Sequence, residues 1–365
     1  MIYREYGQTG KKLSLLGFGG MRFGSIDDHD KCVQMMVTAA QGGVNYFDTA
    51  PEYFGIKSET VFGKGLAELR RLNLPYYCST KTFESTEKGI RSQLEAQLKR
   101  LNIQAVDFYH IWCITSLEDW QERKKNSVLN TFLKLKEEGL IKHICISSHL
   151  IGDEINELLL EGVFEGVLFG YSALDFKARE AAFKAIKEKK LGAVAMNPLG
   201  GGVIPQHPER FAFLKRGSEG IVPAALSFLW DHKDITVTLV GFQTDAHVKE
   251  ALTALSEYKP QSEQELEKMK DASASSLDGV CTGCGYCDNC PEGIRIPQLM
   301  DTYNQKLLST TKKDGVSIMK NRLVYHWDIE PKEAGRCTAC GACEKACTQH
   351  IKIIERLREI SQIAG

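Results

Sequence analysis

Short apolar runs alternate with amphipathic segments along the first 256 residues of the chain. Eight runs carry this pattern: "LSLLGFG", "GVNYFDTA", "YYCSTK", "VDFYHIW", "IKHICISS", "GVLFGYS", "LGAVAMNP" and "ITVTLVG". Between them, segments such as residues 86–101 place apolar residues at steps of three and four, which predicts helices. Near-continuous apolar runs are typical of parallel strands buried on both faces. About eight strands and eight helices over roughly 250 residues predict an α/β fold, a (β/α)8 TIM barrel.

The N-terminal end of this barrel region has its own pattern. "YREYGQTGKK" near the N-terminus predicts a small hairpin or cap, and the first barrel strand is expected at Leu13–Gly19. A doubly wound open sheet is the alternative fold, but no G-x-G-x-x-G motif follows the first strand. The barrel is therefore expected to span residues 1–256.

The composition changes after the last apolar run. Residues 257–276 are polar and charged and end in small residues, which predicts a helix and linker. Residues 277–365 contain two groups of cysteines and end in an amphipathic segment. We expect them to form a small, mainly helical second domain.

Length and charge narrow the class of protein. The 365 residues are 43% hydrophobic and carry a net charge of -1, so the chain can bury a large core. A near-neutral charge gives no compositional support for binding nucleic acid. No apolar run approaches the ~20 residues of a membrane span, and the first residues lack the layout of a signal peptide. We therefore expect a cytoplasmic protein.

The cysteines indicate a metal-binding domain. Four of the twelve are scattered singly, and eight lie in two groups, as expected for metal-binding thiols in a reducing compartment. The second group has the ferredoxin spacing C-x2-C-x2-C-x3-C, and the first is one residue shorter in its last gap. The grouped cysteines are Cys281, Cys284, Cys287, Cys290, Cys337, Cys340, Cys343 and Cys347.

This spacing predicts a ferredoxin-like domain with two 4Fe-4S clusters. In two-cluster ferredoxins the fourth cysteine of each run binds the other cluster. One cluster is therefore expected on Cys281, Cys284, Cys287 and Cys347. The other is expected on Cys337, Cys340, Cys343 and Cys290. Structural zinc is the alternative, but zinc sites usually separate two C-x2-C pairs by ~15–20 residues.

Polar residues at the ends of the predicted strands suggest chemistry in the barrel, because barrel active sites lie there. Asp48 lies near the end of the second run, Tyr53 follows it, and Lys81 ends the third. These residues resemble the aldo-keto reductase family, whose tetrad is Asp, Tyr, Lys and His. The resemblance covers residues 1–256, and with the cysteine-rich tail the chain resembles the iron-sulfur branch of that family. It implies that Tyr53 donates a proton, Lys81 lowers the pKa of Tyr53, and Asp48 anchors Lys81.

The fourth catalytic position departs from the family pattern. The fourth run reads "DFYHIWC", which places Trp112 where the family has its histidine. His110 lies two residues earlier, ~7 Å further into the barrel, where we expect a hydrogen-bonded interior histidine. Trp112 offers an N–H group and an apolar wall but no titratable proton. Ordinary ketone reduction is therefore not assumed.

The resemblance also implies a nicotinamide site, for NADPH or NADH. Leu168 replaces a family glutamine, and Gly241 and His247 replace the cations that hold a 2′-phosphate, so no preference for NADPH is assumed. The residues that the resemblance assigns to the nicotinamide cofactor are Ser147, Ser148, Tyr171, Asn197, Pro198, Leu199, Gly200, Gly241, Gln243 and His247.

The sequence thus predicts an oxygen-sensitive, iron-sulfur oxidoreductase. In this interpretation a nicotinamide exchanges hydride with a small, partly apolar substrate, and the clusters relay electrons. One alternative is a reductase without nicotinamide that takes electrons from a ferredoxin or other redox protein. Another is a non-catalytic electron-transfer or redox-sensing subunit with a degenerate barrel.

Overall fold

The computed structural model describes residues 1–272, 279–309 and 315–363, and they fall into two compact units. Unit 1 comprises Met1–Leu199 and Leu214–Lys268, and unit 2 comprises Gly200–Phe213 and Met269–Gly365. The sequence predicts a barrel domain over residues 1–256, whereas Gly200–Phe213 belongs to unit 2. Residues 273–276 of the expected linker, and its expected boundary at 276/277, lie outside the described residues.

Unit 1 contains a closed barrel of eight parallel strands in the order β10-β3-β4-β5-β6-β7-β8-β9, as predicted. Each of the eight apolar runs overlaps one of these strands. The first barrel strand starts at Leu16 and not at Leu13, because residues 12–14 pair with residues 3–5 as the second strand of the N-terminal hairpin. The strands are β1 (Tyr3–Glu5), β2 (Lys12–Ser14), β3 (Leu16–Gly19), β4 (Tyr46–Asp48), β5 (Tyr77–Thr82), β6 (Val106–Ile114), β7 (Ile141–Ser148), β8 (Gly166–Gly170), β9 (Gly192–Met196) and β10 (Val237–Gly241).

Helices surround the barrel strands in unit 1 and make up most of the regular structure of unit 2. Unit 2 also contains a π-helical segment at Arg322–Trp327 and a 3-10 helix at Pro331–Arg336. The α-helices are α1 (His29–Gln41), α2 (Lys57–Arg71), α3 (Glu87–Leu101), α4 (Leu117–Lys125), α5 (Val128–Glu137), α6 (Gly152–Glu161), α7 (Phe176–Arg179), α8 (Ala182–Lys189), α9 (Val203–Gln206), α10 (Ile221–Trp230), α11 (Asp245–Glu257), α12 (Glu263–Ala272), α13 (Ile296–Leu308), α14 (Gly315–Asn321), α15 (Ala342–Lys345) and α16 (Ile353–Ser361).

The turn between β1 and β2 packs Tyr6 into the barrel. Tyr6 is wholly buried, its ring lies 4.6 Å from that of Phe108, and its hydroxyl lies 3.5 Å from the sulfur of Cys145. A Cβ atom on Gly166 would lie 1.8 Å from the Tyr6 hydroxyl, and one on Gly192 would lie 2.4 Å from the ring. These two glycines therefore make room for an aromatic plug inside the barrel.

Each unit has its own apolar core. In unit 1 a large cluster packs strand β3 and β4 residues such as Phe18 and Phe47 against helices α1, α2 and α11. In unit 2 the core joins α13 and α16, with Leu299 and Leu357 wholly buried, and several of the grouped cysteines pack against it. Within the part of the chain that the structure describes, no helix is both long enough and apolar enough to cross a bilayer.

We expect Gly166→Ala to destabilise unit 1 by about 1–3 kcal/mol, because the added methyl group must displace Tyr6 from a filled interior. Urea unfolding followed by far-UV circular dichroism measures this loss. Gly217→Ala is the matched control, because a Cβ atom there meets nothing within 4 Å. Equal unfolding midpoints for the two variants would show that Tyr6 does not fill the barrel as described.

Candidate functional site

A buried ion pair joins the ends of β4 and β5. The Lys81 ammonium donates hydrogen bonds to both carboxylate oxygens of Asp48, at 2.6 and 2.7 Å, and both side chains are wholly buried. The Ser79 hydroxyl donates a further bond of 2.6 Å to Asp48. Burial lowers the pKa of Lys81 from its ordinary value, and the neighbouring Asp48 carboxylate opposes that shift. The carboxylate therefore holds the ammonium in place and compensates its charge.

A second buried network holds the backbone of Lys81. Gln97 of α3 donates from its amide nitrogen to the Lys81 carbonyl at 2.9 Å and to the Glu59 carboxylate at 2.8 Å. Glu59 of α2 is wholly buried and also accepts bonds from Thr80 and from the Arg100 guanidinium. Two helices are thereby tied to the strand that presents Lys81.

Tyr53 lies beside this ion pair, with its ring centroid 5.5 Å from the Lys81 nitrogen. Desolvation by burial, followed by the charge of Asp48, raises the pKa of Tyr53 well above its ordinary value, and Arg22 opposes part of the shift. The expected lowering of this pKa is therefore not observed. Because Asp48 neutralises Lys81 through two short hydrogen bonds, the phenol faces a compensated pair rather than an isolated cation. Tyr53 keeps its proton at neutral pH.

Trp112 is brought to the same site by an irregularity in β6. The pairing register with β7 shifts between Ile111 and Ile114, and Cys113 has a left-handed φ of 59°. Trp112 is only 1% exposed, and its ring contacts that of Tyr53 edge-on at 5.8 Å. Phe83 stacks on Trp112 with ring centroids 3.9 Å apart. Trp112 therefore stands next to the phenol as a packed aromatic residue without a titratable proton.

His110 lies inside the barrel, opposite Lys81 in the pairing of β5 with β6. It is wholly buried, and neither ring nitrogen makes a hydrogen bond of ordinary geometry within the described chain. The interior position agrees with expectation, and the polar backbone of Ile146 lies within reach of the ring. Burial and then the charge of Lys81 lower the pKa of His110 well below its ordinary value, while the Ile146 backbone favours the charged form slightly. His110 is thus a neutral imidazole beneath the ion pair.

The residues expected to hold the nicotinamide amide are buried at strand ends. Ser147 and Ser148 end β7 and are at most 1% exposed, and the Ser148 hydroxyl accepts a bond from the Leu150 backbone. Tyr171 follows β8, and its hydroxyl lies 2.9 Å from Glu180 and 2.7 Å from a ring nitrogen of His232. Tyr171 is wholly buried among aromatic rings of α8 and α10, so the structure does not bring it to an open surface beside Tyr53.

The remaining expected cofactor residues follow β9 and β10. Asn197, Pro198 and Leu199 continue from β9, and Asn197 has a left-handed φ of 63°. Gly241, Gln243 and His247 are exposed. A Cβ atom on Gly241 would lie 2.7 Å from the side chain of Arg22, which follows β3. The aliphatic part of the Arg22 side chain therefore covers Gly241.

One of the glycines after β9, Gly201, lies close to the loop of the first cysteine group, within unit 2. Gly201 has a φ of 69°, and a Cβ atom there would lie 1.9 Å from the carbonyl oxygen of Thr282. Thr282 follows the first cysteine of the first group. Directly after Gly200, which the resemblance assigns to the nicotinamide cofactor, the backbone at Gly201 is thus approached closely by the cysteine-bearing loop.

The grouped cysteines line two cavities in unit 2. One cavity is lined by Cys281, Cys284, Cys287 and Cys347, and we call it cavity A. The other, cavity B, is lined by Cys290, Cys337, Cys340 and Cys343. Each cavity thus takes one cysteine from the other group. All twelve cysteines lie in the described part of the chain, and none of them forms a disulfide.

The polypeptide around these cavities fits iron-sulfur clusters better than single metal ions. Asn304 holds the loop of cavity A by accepting from the Cys281 amide at 2.8 Å and donating to its carbonyl at 2.7 Å. Desolvation raises the pKa of the Cys281 and Cys287 thiols to about 12. These thiols therefore lose their protons at neutral pH only when a bound cation stabilises the thiolates. Among the residues that the structure describes, no three His, Cys, Asp or Glu side chains converge closely enough for one ion. Four thiols spread around a cavity suit a larger cluster.

The profile of the Aldo/keto reductase family matches residues 15–274, and that of a 4Fe-4S dicluster domain matches residues 280–352. The chain belongs to the aldo/keto reductase family. L-galactose dehydrogenase of Arabidopsis thaliana is 27% identical over 284 residues, which is 70% of this chain and 88% of that protein. The uncharacterized oxidoreductase YrpG of Bacillus subtilis is 28% identical over 56% of this chain and 68% of its own length.

A solved structure shows the same fold. The aldo-keto reductase AKR11C1 of Bacillus halodurans, in its holo form, superposes with a TM-score of 0.64 at 24% identity, over 74% of this chain and 96% of that chain. The predictions of an aldo-keto reductase barrel, a 4Fe-4S dicluster domain and an oxidoreductase are thus confirmed.

Sequence reasoning missed the supports of this reductase's site. Glu59 repeats in phase with Phe62, Leu66 and Leu69 on α2, and Gln97 lies in phase with Leu94 on α3. A polar residue within an apolar helical stripe is a detectable sign of a buried hydrogen-bond network. For Arg22, which follows β3, no such pattern exists.

We expect the Tyr53 phenol to remain protonated up to at least pH ~10, because its pKa lies above the ordinary tyrosine value. The difference in tyrosinate absorbance between the wild type and Tyr53→Phe measures this during a pH titration of the folded protein. Tyr325→Phe is the matched control, since Tyr325 is 85% exposed. A tyrosinate that is lost in Tyr53→Phe and titrates below pH ~9 would contradict the environment described here.

Proposed function

We propose that this oxidoreductase exchanges hydride between a nicotinamide cofactor, NADH or NADPH, and a small substrate beside Tyr53, while two 4Fe-4S clusters in unit 2 relay electrons. The observation that supports this most strongly is the division of eight thiols between cavities A and B, each lined by the four cysteines that the ferredoxin spacing predicts. When bound, each cluster supplies one-electron transfer and the nicotinamide supplies a two-electron hydride. Two clusters together can therefore carry the two electrons of one hydride.

The barrel supplies the proton chemistry in this proposal. Tyr53 holds a proton at its phenol oxygen because its pKa is raised, so it can donate to a substrate oxygen as charge develops there. Lys81 and Asp48 form a neutral buried pair that fixes the polar environment of this phenol. Trp112 packs edge-on against the Tyr53 ring, and Phe83 stacks on Trp112. Because position 112 is a tryptophan and not a histidine, Tyr53 is the proton donor at this site.

A partner for the clusters would approach cavity B. The loop that carries Cys337, Cys340 and Cys343 is largely exposed, including Thr338, Ala339 and Cys340 itself, whereas Thr282, Cys347 and Thr348 around cavity A are buried. Electron exchange between proteins requires close approach of the redox groups. The exposed loop therefore supports a ferredoxin or another small redox protein as partner, with cavity B nearest to it.

A second candidate is a reductase without nicotinamide that takes its electrons from such a partner through the clusters. Two observations favour it. Tyr171 is locked by hydrogen bonds in the packing rather than presented to a cofactor, and Gly201 faces Thr282 rather than open space.

We expect the anaerobically purified protein to contain about eight irons and eight sulfides per chain. Cys347→Ala should reduce iron to about four, because it removes one ligand of cavity A and leaves cavity B intact. Iron and sulfide analysis with electron paramagnetic resonance of the reduced protein measures both. Cys32→Ala, a barrel thiol on α1, is the control and should retain all the iron. Two zinc ions per chain would refute the assignment.

Titration of the cluster-loaded protein with NADH and with NADPH separates the two candidates. Under the leading proposal, at least one nucleotide binds saturably and bleaches the visible absorbance of the clusters when substrate is absent. Protein fluorescence and absorbance, recorded anaerobically, provide the two readouts. Failure of both nucleotides to bind, with clusters that a reduced ferredoxin still bleaches, would leave only the second candidate.

A further inference from the structure

A half-buried guanidinium, that of Arg356 on α16, is held beside cavity A. It donates a hydrogen bond of 2.6 Å to the carbonyl oxygen of Gly279, two residues before Cys281. It also lies over the ring of Tyr303, 4.5 Å from the centroid. The residue after Tyr303 is Asn304, which holds the Cys281 backbone through two hydrogen bonds. Arg356 is thus fixed to both segments that position this thiol.

The charge of Arg356 interacts with the thiols of cavity A. Burial lowers the pKa of the guanidinium, while Tyr303 and the thiols of Cys281 and Cys347 oppose that shift. The two thiols come from different cysteine groups, and both line cavity A. The cation is therefore close to the ligand set of one cavity as a whole.

Two acidic side chains near cavity A are already compensated. Asp301, whose charge also acts on Cys281, accepts a hydrogen bond of 2.7 Å from Arg322. Glu359 accepts one from Lys306. Arg356, by contrast, donates to a neutral carbonyl and lies on a neutral ring, so these contacts do not compensate its charge.

Cavity B has a carboxylate in the comparable place. Glu344 directly follows Cys343, and its carboxylate accepts a hydrogen bond of 2.9 Å from the backbone of Ile354, which lines the cavity. Desolvation, followed by the charge of Glu344, raises the pKa of Cys343 to about 11. The cations nearest in sequence, Arg336 and Lys345, are exposed, so solvent and salt screen them. The two cavities therefore have neighbouring charges of opposite sign.

We propose that Arg356 raises the reduction potential of the cluster in cavity A and Glu344 lowers that of the cluster in cavity B, so that cavity A has the higher potential. This rests on the proposed function, in which unit 2 holds two 4Fe-4S clusters that relay electrons. Reduction adds one negative charge to a cluster, which a cation favours and a carboxylate opposes. An electron from a reduced ferredoxin, which is thereby oxidised, would reside at cavity A, with no bond made or broken.

Other influences on the potentials are similar at the two cavities or act against this order. Each cavity is lined by four thiols, and backbone N–H groups donate to sulfur in both, from Ile351 to Cys347 and from Ala339 to Cys337, each at 3.4 Å. Water around the exposed loop of cavity B also stabilises a reduced cluster. At an effective dielectric constant of about 20, however, a unit charge shifts a one-electron equilibrium about tenfold even from about 12 Å. The two charges both favour reduction at cavity A.

Potentiometric titration followed by electron paramagnetic resonance tests the order in single-cluster forms of the full-length protein, purified anaerobically. Cys340→Ala should retain only the cluster of cavity A, and Cys347→Ala only that of cavity B. We expect the cluster of cavity A to have the higher potential by at least about 59 mV, which is a tenfold ratio for one electron. In the Cys340→Ala form, Arg356→Met should lower the potential by about tenfold in the same ratio, and Arg356→Lys should keep it. Arg358→Met is the matched control, because Arg358 is exposed on the same helix.

In the Cys347→Ala form, Glu344→Gln should raise the potential, because it removes the opposing charge. A higher potential at cavity B, or a potential at cavity A that Arg356→Met leaves unchanged, would overturn the proposal. Iron analysis shows which variants keep about four irons. If Arg356→Met loses its cluster, the order of the two single-cluster forms still decides.

Failure of the proposed function gives a different result. Zinc in place of iron would leave every form without a redox transition and would refute both proposals. Iron clusters with equal potentials, or with a potential that is insensitive to both charges, would contradict this inference alone.

Discussion

The ion pair between Lys81 and Asp48 is the constraint on which the barrel site depends. Two opposite charges without solvent contact are tolerated only if they remain paired and hydrogen-bonded, since an unpaired buried charge costs several kcal/mol. This requirement explains the polar residues that converge here: Ser79 on the carboxylate and Gln97 on the Lys81 backbone. Burial is the main reason that the pKa of Tyr53 is raised, and the ion pair adds to it, because Asp48 already neutralises the cation that would stabilise a phenolate.

Much of this arrangement could be predicted from the sequence, because the features concerned are local. Strands buried on both faces require continuous apolar runs, so all eight barrel strands appear in the sequence pattern. Asp48, Tyr53 and Lys81 end or follow such runs, which places them at one end of the barrel. The ferredoxin spacing likewise divided the eight cysteines as the two cavities do.

The features that escaped prediction depend on distant partners. Tyr171 matched a family position by spacing, but its orientation is set by Glu180 and His232. Gly200 was assigned to the cofactor by the resemblance, yet the close neighbour of the adjacent Gly201 is Thr282, about eighty residues later in the sequence. No local sequence pattern specifies such contacts, because the residues that flank each partner in the chain do not indicate which distant residue it will contact. The register shift that positions Trp112 also depends on a distant partner, since it arises in the pairing of β6 with β7.

A double-mutant cycle at the ion pair tests the central claim most directly. The free energy of unfolding would be measured for Lys81→Met, Asp48→Leu and the double variant. Each single change leaves a buried charge without a partner and should cost about 3–5 kcal/mol, whereas the double change removes both charges and should be more stable than either single variant. If the two single losses simply add in the double variant, the pair is not the buried, mutually dependent unit on which this account of the site relies.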